Sequence, residues 1–292
     1  MIRPMNFRTD LALEAADAAA LTPERGVTRT AHRCGRLTVH RLEVSTDEAA
    51  ARLGKPRGQY VTVELPALSD DERQLTAHAA CVQEELTRLL PPEGTVLVVG
   101  LGNRTVTPDT LGPSAADMIL ATRHIRGEFA RAAGLEDLRP AAVLTPGVLG
   151  QTGAETGEIV RGVCREVEPA AVIAIDALAA RSPERLGCTV QLCDTGIAPG
   201  SGVGNDRRPL SRETLGVPVI GMGVPTVVDA ATLVQAYRPE TELAPDAPPM
   251  MVTPREIDLV IGRAARLVAL AVNGALQPAY APLELISVAR GI

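Results

Sequence analysis

Two aspartates stand where this chain could do acid–base chemistry. Asp109 follows "VVGLGNRTVTPD" (98–109), an apolar strand signal that passes through a glycine turn, and Asp176 closes the apolar run "AAVIAID" (170–176). A carboxylate ending a buried strand has to be hydrogen-bonded, paired or functional, because burying it alone is costly. Two carboxylates at corresponding strand ends would share a proton, since like charges a few ångströms apart do not both ionise cheaply. Such a pair can activate a water and protonate a leaving amine. Asp109 has a second reading: behind Thr107 and Pro108 it could simply cap a helix.

The other candidates carry weaker patterns. "GLGNRTVTPDTLGP" (100–113) departs from a dinucleotide loop, whose third glycine falls on Thr105, and the chain has no GKS or GKT for a Walker loop. Asp194 opens "DTGIAPGSGVGN" (194–205). Its DTG triplet belongs to aspartic proteases of a β-barrel-like fold, so here it ranks second as a catalytic aspartate. The glycines there suit close backbone approach, with free N–H groups turned toward a substrate carbonyl. His124, in "ATRHI" on the helix expected after Asp109, is within reach of the site but also reads as a surface histidine. There is no GxSxG, and the five cysteines include no CxxC and no zinc spacing. They read as free, buried thiols of a reducing compartment.

The elements that must position these residues follow from periodicity. The chain has 292 residues, 46% hydrophobic but only 2% aromatic, so its core is built from Ala, Val, Leu and Ile. "RLTVHRLEV", "GQYVTVEL", "GTVLVVGLG", "AAVLTPG", "AAVIAIDAL", "CTVQLCDTG" and "VPVIGMGVP" read as strands. Helices are expected over 69–90, 107–125, 153–167, 226–237 and 253–276, the last opened by a capping box of Thr253 and Glu256, while "TDEAAARLGKP" reads as a helical turn or loop. The alternation implies an α/β fold with a mostly parallel sheet flanked by helices in three layers, whose ligand site lies beyond the carboxyl ends of the strands. Residues 235–252, rich in proline and acid, read as a loop or linker. A net charge of −6 with dispersed basic residues argues against nucleic-acid binding. "LVIGRAARLVALAV" is broken by arginines, so no membrane span is expected and the chain reads as cytoplasmic.

Taken together, "FRTDLALEA" (7–15), "VGLGNRTVTPDTLGP" (99–113), "TPGVLGQTGAETGEIVRGV" (145–163), "AVIAIDALAAR" (171–181), "DTGIAPGSGVGN", "TLGVPVIGMGVPTVVDA" (214–230) and "MVTPREID" (251–258) closely resemble the germination proteases of spore-forming Firmicutes. The resemblance runs in order along nearly the whole chain. It implies an endopeptidase that degrades small acid-soluble spore proteins in the spore core, made as a zymogen that removes its own propeptide and assembles as a homotetramer. It also implies a fold like that of hydrogenase maturation proteases, with Asp109 and Asp176 as the catalytic aspartates; the residues themselves point to no cofactor or metal ligand set. Family substrates place an acidic residue before the cut, then an apolar residue, then Ala. "RTD|LALEA" has that order between Asp10 and Leu11, which makes 1–10 a propeptide and 11–292 the peptidase domain. Arg181, Arg207 and Arg208 lie next to site motifs and are candidates to receive the acidic side chain, as an alternative to backbone amides. The chain departs from longer members by having only "RPETELAPDAPPM" where they carry an insertion, and by Arg104 where many have Trp. A metal-dependent maturation-type protease, with His124 as third ligand, and a non-catalytic binding module of the same fold remain the rival readings.

Overall fold

Alternation decides which face of each strand meets which helices. In the computed structural model, which describes residues 9–18, 26–70, 73–125, 127–132, 135, 137–200, 208–238 and 250–291, the odd residues of the central apolar strand (Ile173, Ile175) and the even residues of its neighbours (Val98, Ile220, Met222) point to the same helical layer, and the alternate residues to the other. The strands are β1 (Val27–Cys34), β2 (Leu37–Val44), β3 (Gly58–Glu64), β4 (Val96–Gly100), β5 (Ala141–Leu144), β6 (Ala171–Ala180), β7 (Thr189–Cys193), β8 (Val219–Asp229) and β9 (Met251–Val252). The helices are α1 (Ala12–Ala18), α2 (Asp47–Leu53), α3 (Leu75–Leu89), α4 (Leu111–Ala116), α5 (Gly127–Ala132), α6 (Leu149–Thr152), α7 (Thr156–Val167), α8 (Arg212–Leu215), α9 (Ala230–Tyr237), α10 (Ile257–Leu276) and α11 (Pro282–Ala289).

Among the described residues the strands form one sheet in the order β1-β2-β3-β7-β8-β6-β4-β5, with β9 on β8. The pairs β8–β6, β6–β4 and β4–β5 are parallel, and the pairs from β1 through β3 and β7 to β8 are antiparallel. Strands β1, β3, β8, β6, β4 and β5 therefore point one way, and β2, β7 and β9 the other. The fold is α/β with a mixed, mostly parallel sheet flanked by helices, and its parallel half carries the aspartates.

One face packs on α3, α4, α10 and α11 through Val61, Val190, Met222, Ile173, Ile175 and Val98. The opposite face is covered in two separate patches. Helices α7 and α8 cover Leu97, Val99, Val172, Ala174 and Val219 of the parallel half, while α1 and α2 cover Leu42, Val44, Tyr60 and Cys193 of the antiparallel flank. Between these patches the sheet is open to a trough. Helix α10 is long and apolar enough to cross a membrane by length and composition, but most of it is buried as the central helix of the first face. Its polar Asn273 and Gln277 hold loop backbone: Asn273 pairs with Leu120 N–H and the Met118 carbonyl, and Gln277 with both backbone groups of Arg139.

Several expectations change in detail. The stretch 107–125 is a short 3-10 turn (Thr107–Asp109) followed by α4 rather than one long helix. Strand β8 continues to Asp229, so the helix expected from 226 begins only at Ala230. The capping box of Thr253 and Glu256 does not form: α10 starts at Ile257 without a side-chain cap, and Thr253 instead donates to the Thr226 carbonyl at 2.9 Å. Cys34 and Cys81 form a disulfide, so only Cys164, Cys188 and Cys193 are free thiols.

Candidate active site

Strand β4 stops at Gly100, opposite Ile175 of β6, whereas β6 runs on to Ala180. Asp176 is therefore not a strand end but the first β6 residue past the end of β4. It is 5% exposed, and its Oδ1 accepts the N–H of Ala177 at 2.9 Å. The end of β4 is tied to β6 by Leu101 N–H on the Ile175 carbonyl at 2.8 Å.

From there the chain turns through Gly102 and Asn103 into the 3-10 turn that ends on Asp109. One amide of this loop serves an internal carboxylate: Asn103 N–H donates to Asp109 Oδ2 at 2.8 Å and to the Asp109 carbonyl at 3.1 Å, while the N–H groups of Thr105 and Val106 close on Asn103. Gly102 holds φ +120°, and a Cβ there would lie 2.0 Å from the Asp109 carbonyl, so only glycine permits the approach. The glycine turn thus builds a seat for Asp109 and does not cradle phosphate. Gly112 does the same one turn later, packed between the carbonyls of Leu101 and Ile175.

A β-bulge supports the same turn from the other side. Leu178 pairs with Pro225 but Ala179 pairs with Val227, which leaves Thr226 of β8 as the extra residue. Thr226 is fully buried, and its hydroxyl donates to the Pro108 carbonyl at 2.8 Å, one residue before Asp109. Asp109 and Asp176 line one open cavity of about 1320 Å³.

The register fixes its floor. Gln191 pairs with Gly223 and Gly223 with Asp176, so the Gln191 and Asp176 side chains rise from the same face of the sheet. They stand roughly two strand spacings apart, about 10 Å. Gly223 between them has no side chain and leaves the gap open.

The segment that precedes α1 lies in this trough. Asp10 N–H donates to the Ala179 carbonyl at 2.9 Å, and Asp10 Oδ2 accepts the Ala179 N–H at 2.8 Å. Leu11 is fully buried against Leu178 and Ala180. Gln191 Nε2 donates to the Asp10 carbonyl at 2.8 Å, and its Oε1 accepts the Ala12 N–H at 2.6 Å. Lys55 Nζ donates to the same Asp10 carbonyl at 3.0 Å and to that of Thr9 at 3.1 Å. Further along, Glu14 accepts the N–H groups of Arg181 and Ser182 at 2.7 and 2.9 Å.

The remaining candidates separate clearly. Arg181 lines the cavity, whereas Arg208 is exposed and outside it, and Arg207 lies outside the described residues. The acidic side chain of Asp10 meets the backbone amide of Ala179. His124 sits exposed in a turn after α4, away from the cavity lining, because the helix expected to carry it ends at Ala116. Asp194 is exposed too, and its Oδ1 accepts the Gln59 N–H at 2.7 Å, which ties the end of β7 to the start of β3. Among the described residues no group of three or more His, Cys, Asp or Glu side chains is placed to hold a metal. Arg104 forms a bidentate pair with Asp117 at 2.6 and 2.8 Å on the outside of the Asp109 loop. Lys55, Gln191 and Thr226 had escaped notice in the sequence, although Gln191 is a lone amide in the apolar run "TVQLC".

The chain is similar to known proteins along most of its length. A family model described as germination protease matches residues 10–237. A germination protease of Caldanaerobacter subterraneus subsp. tengcongensis is 39% identical over 98% of this chain and 98% of its own length, and that of Clostridium acetobutylicum 37% identical over 96% and 98%. The germination protease of Bacillus subtilis is 43% identical over 78% of this chain and 64% of its own. Among solved structures, the [NiFe] hydrogenase maturation protease HycI of Thermococcus kodakarensis is similar at a TM-score of 0.39 and 18% identity, over 66% of this chain and 99% of its own.

Proposed function

The chain belongs to the germination protease family of peptidases, and on that premise we propose that it is an endopeptidase in which Asp109 and Asp176 act together on a water molecule. The observation that carries this reading is the content of the cavity. Both carboxylates line it, and so does Asp10, at the head of the segment "TDLALE". In hydrolysis of the Asp10–Leu11 bond, one carboxylate takes a proton as the water oxygen bonds to the Asp10 carbonyl carbon. The other gives a proton to the Leu11 nitrogen as the C–N bond breaks. The products are a new carboxylate on Asp10 and a free amine on Leu11.

On this reading the chain is a zymogen that trims itself after Asp10, and small acid-soluble spore proteins are the substrates it then cuts in the germinating spore. Acid before the cut is read by the Ala179 amide, and the following apolar residue by the surface of Leu178 and Ala180. Assembly as a homotetramer and residence in the spore core belong to the same proposal.

The test is incubation of the purified full chain, followed by N-terminal sequencing and by digestion of a small acid-soluble spore protein. We expect a new terminus at Leu11, and loss of both cleavages by at least about 10³-fold in Asp109→Asn and in Asp176→Asn. Either variant retaining near-normal turnover would overturn the pairing, and a persistent Met1 terminus in an active enzyme would overturn self-processing.

A further inference from the structure

The carbonyl at the proposed cut receives more donors than a docked strap requires. Asp10 O accepts from Gln191 Nε2 at 2.8 Å and from Lys55 Nζ at 3.0 Å. Both are ordinary hydrogen-bond distances to the ground-state carbonyl, and donors already on that oxygen are placed to follow it as it becomes an oxyanion. One donor is a cation, and charge-assisted hydrogen bonds to a developing negative oxygen are roughly twice as strong as neutral ones. We propose that Lys55 and Gln191 form the oxyanion hole of this protease. The proposal rests on the self-cleaving reading of the Asp10–Leu11 bond and adds two residues that touch the reacting carbonyl.

Both donors are held in place by the fold. Gln191 is 6% exposed on β7, in the sheet row it shares with Asp176. Its orientation is fixed from both ends, since Oε1 accepts the Ala12 N–H while Nε2 faces the Asp10 carbonyl. A single side chain therefore grips the backbone on either side of the bond to be cut. Lys55 follows Gly54, the left-handed residue (φ +64°) that ends α2, and its own N–H closes that helix on the Ala50 carbonyl at 3.2 Å. The cap aims the lysine over the trough, where it bridges the carbonyls of Thr9 and Asp10.

In the chemical step, water adds to the Asp10 carbonyl carbon and the C=O π pair moves onto oxygen. The two donors hold that oxyanion until it collapses and expels the Leu11 nitrogen, which takes its proton from the carboxylate pair. Both donors grip the carbonyl in the ground state, and the geometry assigns them a larger part as the negative charge grows.

The experiment uses the full chain, three variants of the two donors, and Asp109→Asn for comparison. Gln191→Glu keeps an acceptor for the Ala12 N–H but removes the donor, Lys55→Met removes the cation at similar length, and Lys55→Arg keeps a cation. Conversion to the Leu11 terminus is followed by mass spectrometry, kcat and KM are measured on a blocked peptide MNFRTDLALEAA, and hydrogen exchange at Ala12 reports whether the segment stays docked. We expect Gln191→Glu and Lys55→Met each to slow cleavage by about 10²–10³-fold, with KM within threefold and Ala12 still protected. Lys55→Arg should stay within tenfold of wild type. Variants that cut within threefold of wild type, or whose rate falls only in step with lost Ala12 protection, would reduce the two residues to a strap and overturn the inference. If wild type cuts neither itself nor the peptide, the protease reading fails and takes this one with it. If Asp109→Asn silences the chain and Lys55→Met does not, this inference alone fails.

Discussion

Cys193 ends β7 in the lining of the cavity, buried, with its thiol donating to the Gly196 carbonyl at 3.1 Å. Burial pushes this thiol above its ordinary range, and does the same to Cys164 and Cys188. A raised thiol value means that the folded chain keeps a proton which the unfolded chain releases near pH 8.5. The stability this contributes is complete below that pH and is lost as pH rises through the folded values. We therefore expect the urea midpoint to fall between pH 7.5 and pH 9.5, and iodoacetamide at pH 8 to leave Cys164 and Cys193 unmodified until the chain unfolds. Rapid native alkylation with an unchanged midpoint would contradict this. At the same scale, Asp176 was legible in the sequence because an acid at the end of an apolar run is chemically conspicuous, and Asp109 because it follows such a run through a glycine turn. Gln191 and Lys55 were not, since their meaning depends on which strands are neighbours and on where a helix cap aims a side chain. Neither fact is carried by spacing along the chain.

Among the elements, the bulge between β6 and β8 does the most to place the Asp109 turn. Thr226 is the residue it expels from the pairing, and its hydroxyl holds Pro108. Thr226→Val keeps the shape and removes the hydrogen bond, leaving a part-buried carbonyl without it, at a cost of about 1–3 kcal/mol. If Thr226 positions Asp109, kcat should fall about tenfold while KM holds. A stability loss with unchanged kcat would restrict the residue to a structural role. The apolar runs located the buried strands well, because a strand enclosed on both faces must be apolar throughout. Their ends were less legible. Asp176 interrupts β6 as a letter but not as a strand, since its carboxylate takes a backbone N–H and faces the trough. Strand β1, "VTRTAHRC", gave little apolar signal because it is an edge strand with one neighbour, β2, and much of it faces solvent. The Thr253 hydroxyl was claimed by Thr226 rather than by its own helix, a tertiary competition that no local motif reveals.

Across the whole molecule, the trough joins two halves that are held by different means. The parallel half is a close-packed α/β core. The antiparallel flank, whose β7 and α2 carry Gln191 and Lys55, is tied to the helical layer beneath it by the Cys34–Cys81 bond between the end of β1 and α3. The sequence, with its odd number of cysteines, had pointed to free thiols. The pairing arises only because the β1–β2 hairpin folds back over a helix 47 residues downstream. Closing a loop of that length removes unfolded-chain entropy worth about 4 kcal/mol in the chain-entropy account. For a domain of this size the loss corresponds to roughly 6 °C in Tm. In a reducing compartment the bond is open and that contribution is absent. Thermal melts with and without dithiothreitol, and of Cys34→Ser, should therefore show one common lowering of Tm, with no further effect of reductant on the variant. The flank should loosen before the parallel core, so hydrogen exchange in β1 and β2 should rise on reduction while β4 and β6 stay protected. Equal melting of the oxidised and reduced chains would show that the Arg41–Glu85 pair, bidentate at 2.9 and 2.6 Å between β2 and α3, already holds the flank without the disulfide.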